Sequence, residues 1–221
     1  MGESRPDGLD MDDNHPRDGL RAAYDAAAAA RDGRELAAWK QGVRASFARQ
    51  LRAEGHTQLL EVGAGPGHDG VFFGRQGMQV VCVDLSPEMV RLCQQKGLEA
   101  HVMDATDLRF PAGSFDAVYA LNSLLHVPNA ELPVALREIE RVLVGGGLFF
   151  LGVYGGIDRE GVWEEDSYRP RRFFSFRTDE QLLAAVHGCF AVVSFDRVPV
   201  DSDAPRFHFQ SLILRKRSRS A

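Results

Sequence analysis

Three glycines and three carboxylates mark out chemistry in this chain before any fold is assumed. The stretch GAGPGHDG runs from Gly63 to Gly70; its glycines let the backbone turn tightly and approach a ligand where a side chain would intrude. Glu61 stands just before it, and Asp84 and Asp104 follow two further apolar runs. An ionised carboxylate offers two acceptor oxygens in one plane and no proton to remove, which suits a pair of ribose hydroxyls or an exocyclic amine. Read from Gly65, the loop is G-x-G-x-x-G, the fingerprint of a pyrophosphate-binding turn. Read from Gly63, it is G-x-G-x-G, whose glycines let the backbone approach a ligand that carries no phosphate. An acidic residue about 20 positions on, Asp84, satisfies both. Pro66 separates them: the first reading puts it inside the turn whose N–H groups must face a pyrophosphate, and proline has none.

These residues need elements to hold them. Gln58 to Val62 reads as a short strand ending at the loop, with a helix from about Gly67 to Arg75. Gln79 to Val83 is a continuous apolar run, as expected of a parallel strand covered on both faces, and it ends at Asp84. Ser86-Pro87 starts a helix, with serine as N-cap and proline where its missing N–H costs nothing, and Gly97 closes it. Further strands are expected over Glu99 to Met103, Phe115 to Leu121 and Leu148 to Tyr154. Between the last two, Leu132, Leu136, Ile139 and Leu143 share one helical face. Thr178-x-x-Gln181 is a capping box opening a last helix to about His187. Val192 to Val200 and Phe207 to Leu214 have no helix between them, so they should pair antiparallel. Leu20 to about Arg52 is helical by composition, with Gly33 as the break.

The whole chain has 221 residues, 44% of them hydrophobic, enough for one α/β domain with terminal decoration. A net charge of -5 argues against a nucleic-acid-binding body, although Arg215 to Arg219 is locally basic. Cys82, Cys93 and Cys189 are odd in number and lie in apolar segments, which fits reduced thiols and a cytoplasmic location. The acidic first segment has no apolar core, and no apolar run is long enough to cross a bilayer, so neither a signal peptide nor a membrane partner is expected. The division expected is a disordered tail over 1–19, a helical lid over 20–56, the main domain over 57–216 and a basic tail over 217–221.

The consecutive stretches LLEVGAGPGHDG, VVCVDLSPEMV, MDATDLRFPAGSFDAVYALNSLLHV and VLVGGGLFFLGVYGG resemble the motifs of the class I S-adenosylmethionine-dependent methyltransferases, in the metal-independent branch acting on small molecules. The likeness is close from about Leu59 to Tyr154 and looser from Thr178 to Leu214. One departure is Val144-Gly145-Gly146, where many members have Lys-Pro-Gly-Gly, at a turn far from the methyl group. The resemblance implies a Rossmann-like α/β fold: a seven-stranded, mostly parallel sheet with helices on both faces and its last strand antiparallel. It implies S-adenosylmethionine as cofactor and a small-molecule methyl acceptor as partner. Gly63, Ala64, Gly65 and Gly67 would floor the methionine moiety, Glu61 would orient its ammonium, and Asp84 would accept both ribose hydroxyls. Leu85 and Met89 would cover the adenine, or serve as plain core. Asp104 would accept from the adenine amine with Ala105 offering a backbone N–H; Asn122 would lie beside the methionine, and Tyr24 near its carboxylate.

Methyl transfer from a sulfonium is an in-line displacement, so the protein has mainly to align the acceptor and exclude water; a base is needed only for an acceptor that keeps its proton. His126 is the candidate base, with a structural or cofactor-contacting role as its alternative. Tyr154 and His208 are weaker candidates. Asp69 reads as a helix cap, and His68 as a cofactor contact or a solvent-facing group. Trp163, Tyr168, Phe173, Phe174 and Phe176 form either an acceptor wall or a local core, while Arg169, Arg171 and Arg172 suit an anionic acceptor or are simply solvated. No group of ligands has metal spacing, so no metal is expected. Because the binding motifs are clearer than any catalytic group, a non-catalytic protein that binds S-adenosylmethionine or S-adenosylhomocysteine, as a regulator or assembly factor, is the alternative function.

Overall fold

The computed structural model describes residues 16–200 and 207–217. In chain order these form α1 (Pro16–Asp32), α2 (Ala38–Ala53), β1 (Gln58–Val62), α3 (His68–Arg75), β2 (Gln79–Asp84), α4 (Pro87–Gln95), β3 (Glu99–Val102) and β4 (Phe115–Leu121). There follow α5 (Leu132–Val142), β5 (Leu143–Gly155), β6 (Arg159–Val162), β7 (Phe173–Phe176), α6 (Asp179–His187), β8 (Phe190–Pro199) and β9 (His208–Lys216). Seven strands make one sheet in the order β3-β2-β1-β4-β5-β9-β8. Only β9 runs antiparallel to its neighbours. The strand order reverses between β1 and β4, and at such a switch point the outgoing chains part and leave a crevice at the carboxyl ends.

Strand pleat sorts the core into two layers. Leu60, Val62, Val118, Ala120, Phe149 and Leu151 pack with Leu136, Ile139, Leu182 and Val186 of α5 and α6. Their neighbours Leu59, Ala117, Tyr119, Leu148 and Phe150 face the other way, against Phe47, Ala48 and Leu51 of α2 and Phe73 of α3. The local signals act as expected: Ser86 Oγ accepts from the N–H of Met89, and both bonds of the Thr178–Gln181 capping box form.

Two expectations change. Helix α1 begins at Pro16, inside the stretch assigned to the tail; residues 1–15 of that stretch, and 218–221 of the basic tail, lie outside the described residues. The lid expected over 20–56 divides, because α2 buries an aromatic face on the sheet and only α1 reaches the crevice. Helix α1 lies beside α4, where Ala28 packs with Met89 and Leu92. Asp25 accepts from Ser86 Oγ at 2.5 Å and Asp32 pairs with Lys96 at 2.6 Å. The small antiparallel sheet of β6 and β7, inserted after β5, was not foreseen.

Candidate functional site

A crevice of about 800 Å³, its open mouth included, lies at the switch point beneath α1. Strand β1 ends at Val62, so the loop starts at Gly63 and the G-x-G-x-G reading is the one the backbone adopts. Gly63 has φ +75°, and a side chain there would overlap Cβ of Ser123 after β4, which explains the glycine in both conformation and space. Gly67, at φ +83°, caps α3; a Cβ on it would come within 2.9 Å of Leu98 and 3.0 Å of the Cys93 sulfur. Gly65 faces the crevice instead.

Asp84 ends β2 with its carboxylate turned into the crevice. One oxygen accepts from the N–H of Gly65 at 2.8 Å and the other from the N–H of Ser86 at 2.9 Å, leaving a lone pair on each. Burial raises its pKa, while those two N–H groups and the Arg31 guanidinium pull it back. Asp104 is more crowded. One oxygen accepts from the N–H and hydroxyl of Thr106, both at 2.7 Å, and the other pairs with Nε of Arg17 at 2.6 Å. Arg17 also pairs with Glu131, so the first turn of α1 is fastened across this end of the crevice.

His126 lies in a short turn of 3-10 helix, Leu124–His126, and is almost fully buried. Its Nδ1 faces the carbonyl of Phe173 in β7 at 2.7 Å. A carbonyl only accepts, so Nδ1 carries the hydrogen, Nε2 is the acceptor, and the Tyr24 hydroxyl donates to it at 2.7 Å. Arg172 donates to the same hydroxyl at 3.2 Å and is held by both oxygens of Asp166. Burial, helped by the charges of Arg172 and Arg31 and opposed by the Phe173 bond, lowers the His126 pKa to about 3, so the ring is neutral. Burial also raises the Tyr24 pKa, against the pull of Arg172 and Arg31. As arranged, His126 holds the lid helix; its one basic nitrogen is already engaged.

Of the residues picked out from sequence, Tyr24, Gly63, Gly65, Asp84, Leu85, Asp104, Ala105, Asn122 and His126 line this one crevice. Ala64 and Gly67 belong to the loop behind it. Met89 is wholly buried in the cluster joining α4 to α1 and does not line the crevice. Glu61 lies behind the loop, under α3, its carboxylate accepting from the Cys82 thiol at 3.5 Å. Burial, with the Asp69 charge added, raises its pKa well above the usual carboxylate range. Asp69 does not cap α3; it pairs with Arg44 of α2 at 2.6 Å. His208 pairs with Asp179, 2.9 Å away, outside the crevice. His68 faces Asp32 at 3.7 Å. Among the described residues no cluster could hold a metal ion.

Four polar lining residues escaped the sequence: Arg17, Arg31, Ser123 and Glu131. Arg17 and Arg31 look like ordinary solvated charges on an alanine-rich helix, and Ser123 gives no signal of its own. The Nε of Arg31, Oγ of Ser123 and Oδ1 of Asn122 are buried without a hydrogen-bond partner. Asn122 also holds a left-handed φ of +54°. Unsatisfied buried groups and backbone strain gathered at one crevice suit a polar ligand that completes them. The methionyl end of S-adenosylmethionine has that chemistry: acceptors Asn122 and Ser123 for an ammonium, donor Arg31 for a carboxylate, with Asp84 left for the ribose.

Known proteins point the same way. A family model described as a methyltransferase domain matches residues 60–151. A ubiquinone biosynthesis O-methyltransferase of Xanthomonas oryzae pv. oryzae is 38% identical over 102 residues, 42% of this chain and 41% of that protein. A malonyl-acyl-carrier-protein O-methyltransferase of Herminiimonas arsenicoxydans is 32% identical over 174 residues, 76% of this chain and 64% of that one. The chain thus spans about two fifths of the first relative's length and under two thirds of the second's. In fold it is similar to 1,6-didemethyltoxoflavin-N1-methyltransferase of Burkholderia thailandensis, solved with 1,6-didemethyltoxoflavin and S-adenosylhomocysteine. The TM-score is 0.70 at 22% identity, over 95% of this chain and 94% of that one.

Proposed function

We propose that this chain, which matches a methyltransferase domain over residues 60–151, is a class I S-adenosylmethionine-dependent methyltransferase that moves a methyl group from S-adenosylmethionine to an oxygen, nitrogen or carbon of a small organic molecule. The observation that carries this reading is the convergence of a phosphate-free glycine loop, Asp84 and three unsatisfied buried polar atoms on one crevice at the sheet's switch point. The two relatives described above are named as O-methyltransferases, which favours oxygen as the acceptor atom.

When bound, the cofactor supplies an electrophilic methyl carbon on a sulfonium. The protein's own part is to hold and align. Asp84 accepts from the ribose hydroxyls through its two free lone pairs; Asn122 and Ser123 accept from the ammonium, and Arg31 donates to the carboxylate. Helix α1 closes the crevice from above and excludes water, held by Arg17 at the adenine end and by Tyr24 on His126. Arg17 takes one lone pair of the Asp104 oxygen it faces, and the other is left to accept from the adenine amine. The crevice offers no free base, and an acceptor ionised at neutral pH needs none.

That engaged histidine favours the second reading as well, a protein that binds S-adenosylmethionine or S-adenosylhomocysteine and transfers nothing. Incubation with methyl-labelled S-adenosylmethionine and a panel of phenols, carboxylates and amines decides. Label on any panel member establishes transfer; tight calorimetric binding of S-adenosylhomocysteine with no label transferred supports the binding protein, and no binding of either compound overturns both.

A further inference from the structure

Outside the cofactor crevice lies a second concavity whose walls are almost wholly aromatic. It is lined by Trp39 of α2, Tyr154 at the end of β5, Trp163, Phe174 and Phe176 of the β6–β7 insertion, and Phe207 ahead of β9. The rings form flat faces: Tyr154 and Phe207 stack with 7° between their planes, Phe174 and Phe176 with 16°. Trp163 stands edge-on to Phe174 and Phe176. This concavity borders the crevice through Phe174, whose ring centroid is 4.7 Å from that of His126 on one side and 5.6 Å from that of Trp163 on the other.

Three cations lie over rings that line this groove: Arg172, paired with Asp166, over Phe174 at 5.1 Å, the exposed Arg159 over Trp163 at 5.4 Å, and Lys40. The Lys40 ammonium lies over the rings of both Trp39 and Tyr154, 5.2 and 5.1 Å from their centroids. Among the described residues it has no carboxylate within ion-pair distance, and the acidic group whose charge reaches it, Asp69, is already paired with Arg44. Burial lowers its pKa, and the nearby Arg31 charge adds to that. A half-buried cation resting on two π-faces without an anion is incompletely compensated, and a ligand anion would complete it.

We propose that this groove binds the methyl acceptor, and that the acceptor is a planar aromatic acid whose rings lie against the aromatic walls and whose anionic group pairs with Lys40. The identification as acceptor rests on the methyltransferase reading above; the binding of an aromatic anion does not. Flat rings supply apolar area and favoured aromatic contacts on every wall, so recognition there is of planarity, with the charge fixing which end points to Lys40. Phe174 lines the groove and packs on His126 of the crevice, so the far end of such a molecule comes against the wall between the two.

The chain has two tryptophans, and both line this groove, so tryptophan emission reports on it. The full chain saturated with S-adenosylhomocysteine is titrated by calorimetry with 2-naphthoate and with 2-naphthylmethanol, which keeps the rings and lacks the charge. Absorption-corrected tryptophan emission is followed in parallel. Expected is saturable 2-naphthoate binding with an emission change, weakened about tenfold by Lys40→Met, while the alcohol's affinity stays within about twofold. Trp163→Ala should weaken both ligands. Equal affinity of 2-naphthoate for wild type and Lys40→Met overturns the proposal, as does the absence of saturable binding. So does an emission change that depends on protein concentration alone, which would make the groove a contact with a second copy of the chain. The underlying reading fails separately: naphthoate binding as described with no S-adenosylhomocysteine binding keeps the groove and removes the transferase. Conversely, methyl transfer to an acceptor whose KM ignores Lys40→Met keeps the transferase and removes the groove.

Discussion

Two walls face each other across the crevice, and different interactions hold them. The wall of β1, β2 and β4 is backbone-built: glycines in left-handed φ, a strand end, and a carboxylate locked by two N–H groups. Short-range covalent geometry fixes it, and its residues are close in sequence or lie at successive strand ends. The opposite wall, α1 with the β6–β7 insertion, is side-chain-built. Tyr24, His126, Arg172, Asp166 and Phe173 come from four separate parts of the chain and meet in one hydrogen-bonded network. The backbone-built wall is the preorganised surface, and the side-chain-built wall is the one able to move, because its bonds can open without altering a strand.

The contrast yields four tests. The largest effect belongs to the rigid wall: Asp84→Asn removes the charge and one acceptor oxygen, and should weaken S-adenosylhomocysteine binding by roughly 1.5 to 3 kcal/mol, about tenfold to 150-fold. An unchanged calorimetric dissociation constant would take Asp84 out of the site and erase the distinction between the walls.

Next comes the pH dependence of the mobile wall. The folded pKa of His126, about 3, lies below its unfolded value near 6.5. As pH falls the unfolded chain takes up a proton that the folded one does not. The stability His126 contributes is therefore complete above about pH 6.5 and lost as pH drops toward 3, amounting to about 2 kcal/mol by pH 5. Comparing urea unfolding of wild type and His126→Gln at pH 7.5 and 5 isolates that slope from the buried carboxylates; identical slopes would show His126 to be solvated.

Tyr24→Phe leaves the acceptor nitrogen of His126 buried without a donor, at a cost of roughly 1 to 2 kcal/mol. Thermal unfolding should show the loss, with proteolysis rising first in α1. A variant as stable as wild type would mean the network does not hold the lid. The smallest effect is expected from Arg17→Ala. Its ion pairs are partly exposed and contribute under about 1 kcal/mol to stability, yet their removal frees an oxygen of Asp104. Cofactor affinity should hold or rise severalfold; a marked fall would show that Arg17 itself binds the ligand.

The same division separates what could be read from the chain from what could not. Gly63, Asp84 and Asn122 were legible because their roles follow from local rules: a strand must end, a loop must turn, and a switch point exposes the strand ends on each side of it. Glu61 lies behind the crevice and Met89 takes the core place that was its alternative, because the sequence shows which strand or helix carries a side chain, but not whether it turns toward the crevice or behind it. Burial under α3 decided the first and burial between α4 and α1 the second.

By itself the sequence determined the successive strands, the antiparallel pairing of the last two and the glycines and carboxylates of the crevice, since periodicity, caps and glycines act over a few residues; the seven-stranded sheet with one reversed strand followed from the family resemblance. Only the tertiary structure decided that α1 and not α2 reaches the crevice, that His126 is already bonded, and that Lys40 rests on aromatic rings with no carboxylate among the described residues at ion-pair distance. Each of these depends on contacts between residues tens of positions apart, where the partner and not the residue type sets the energy.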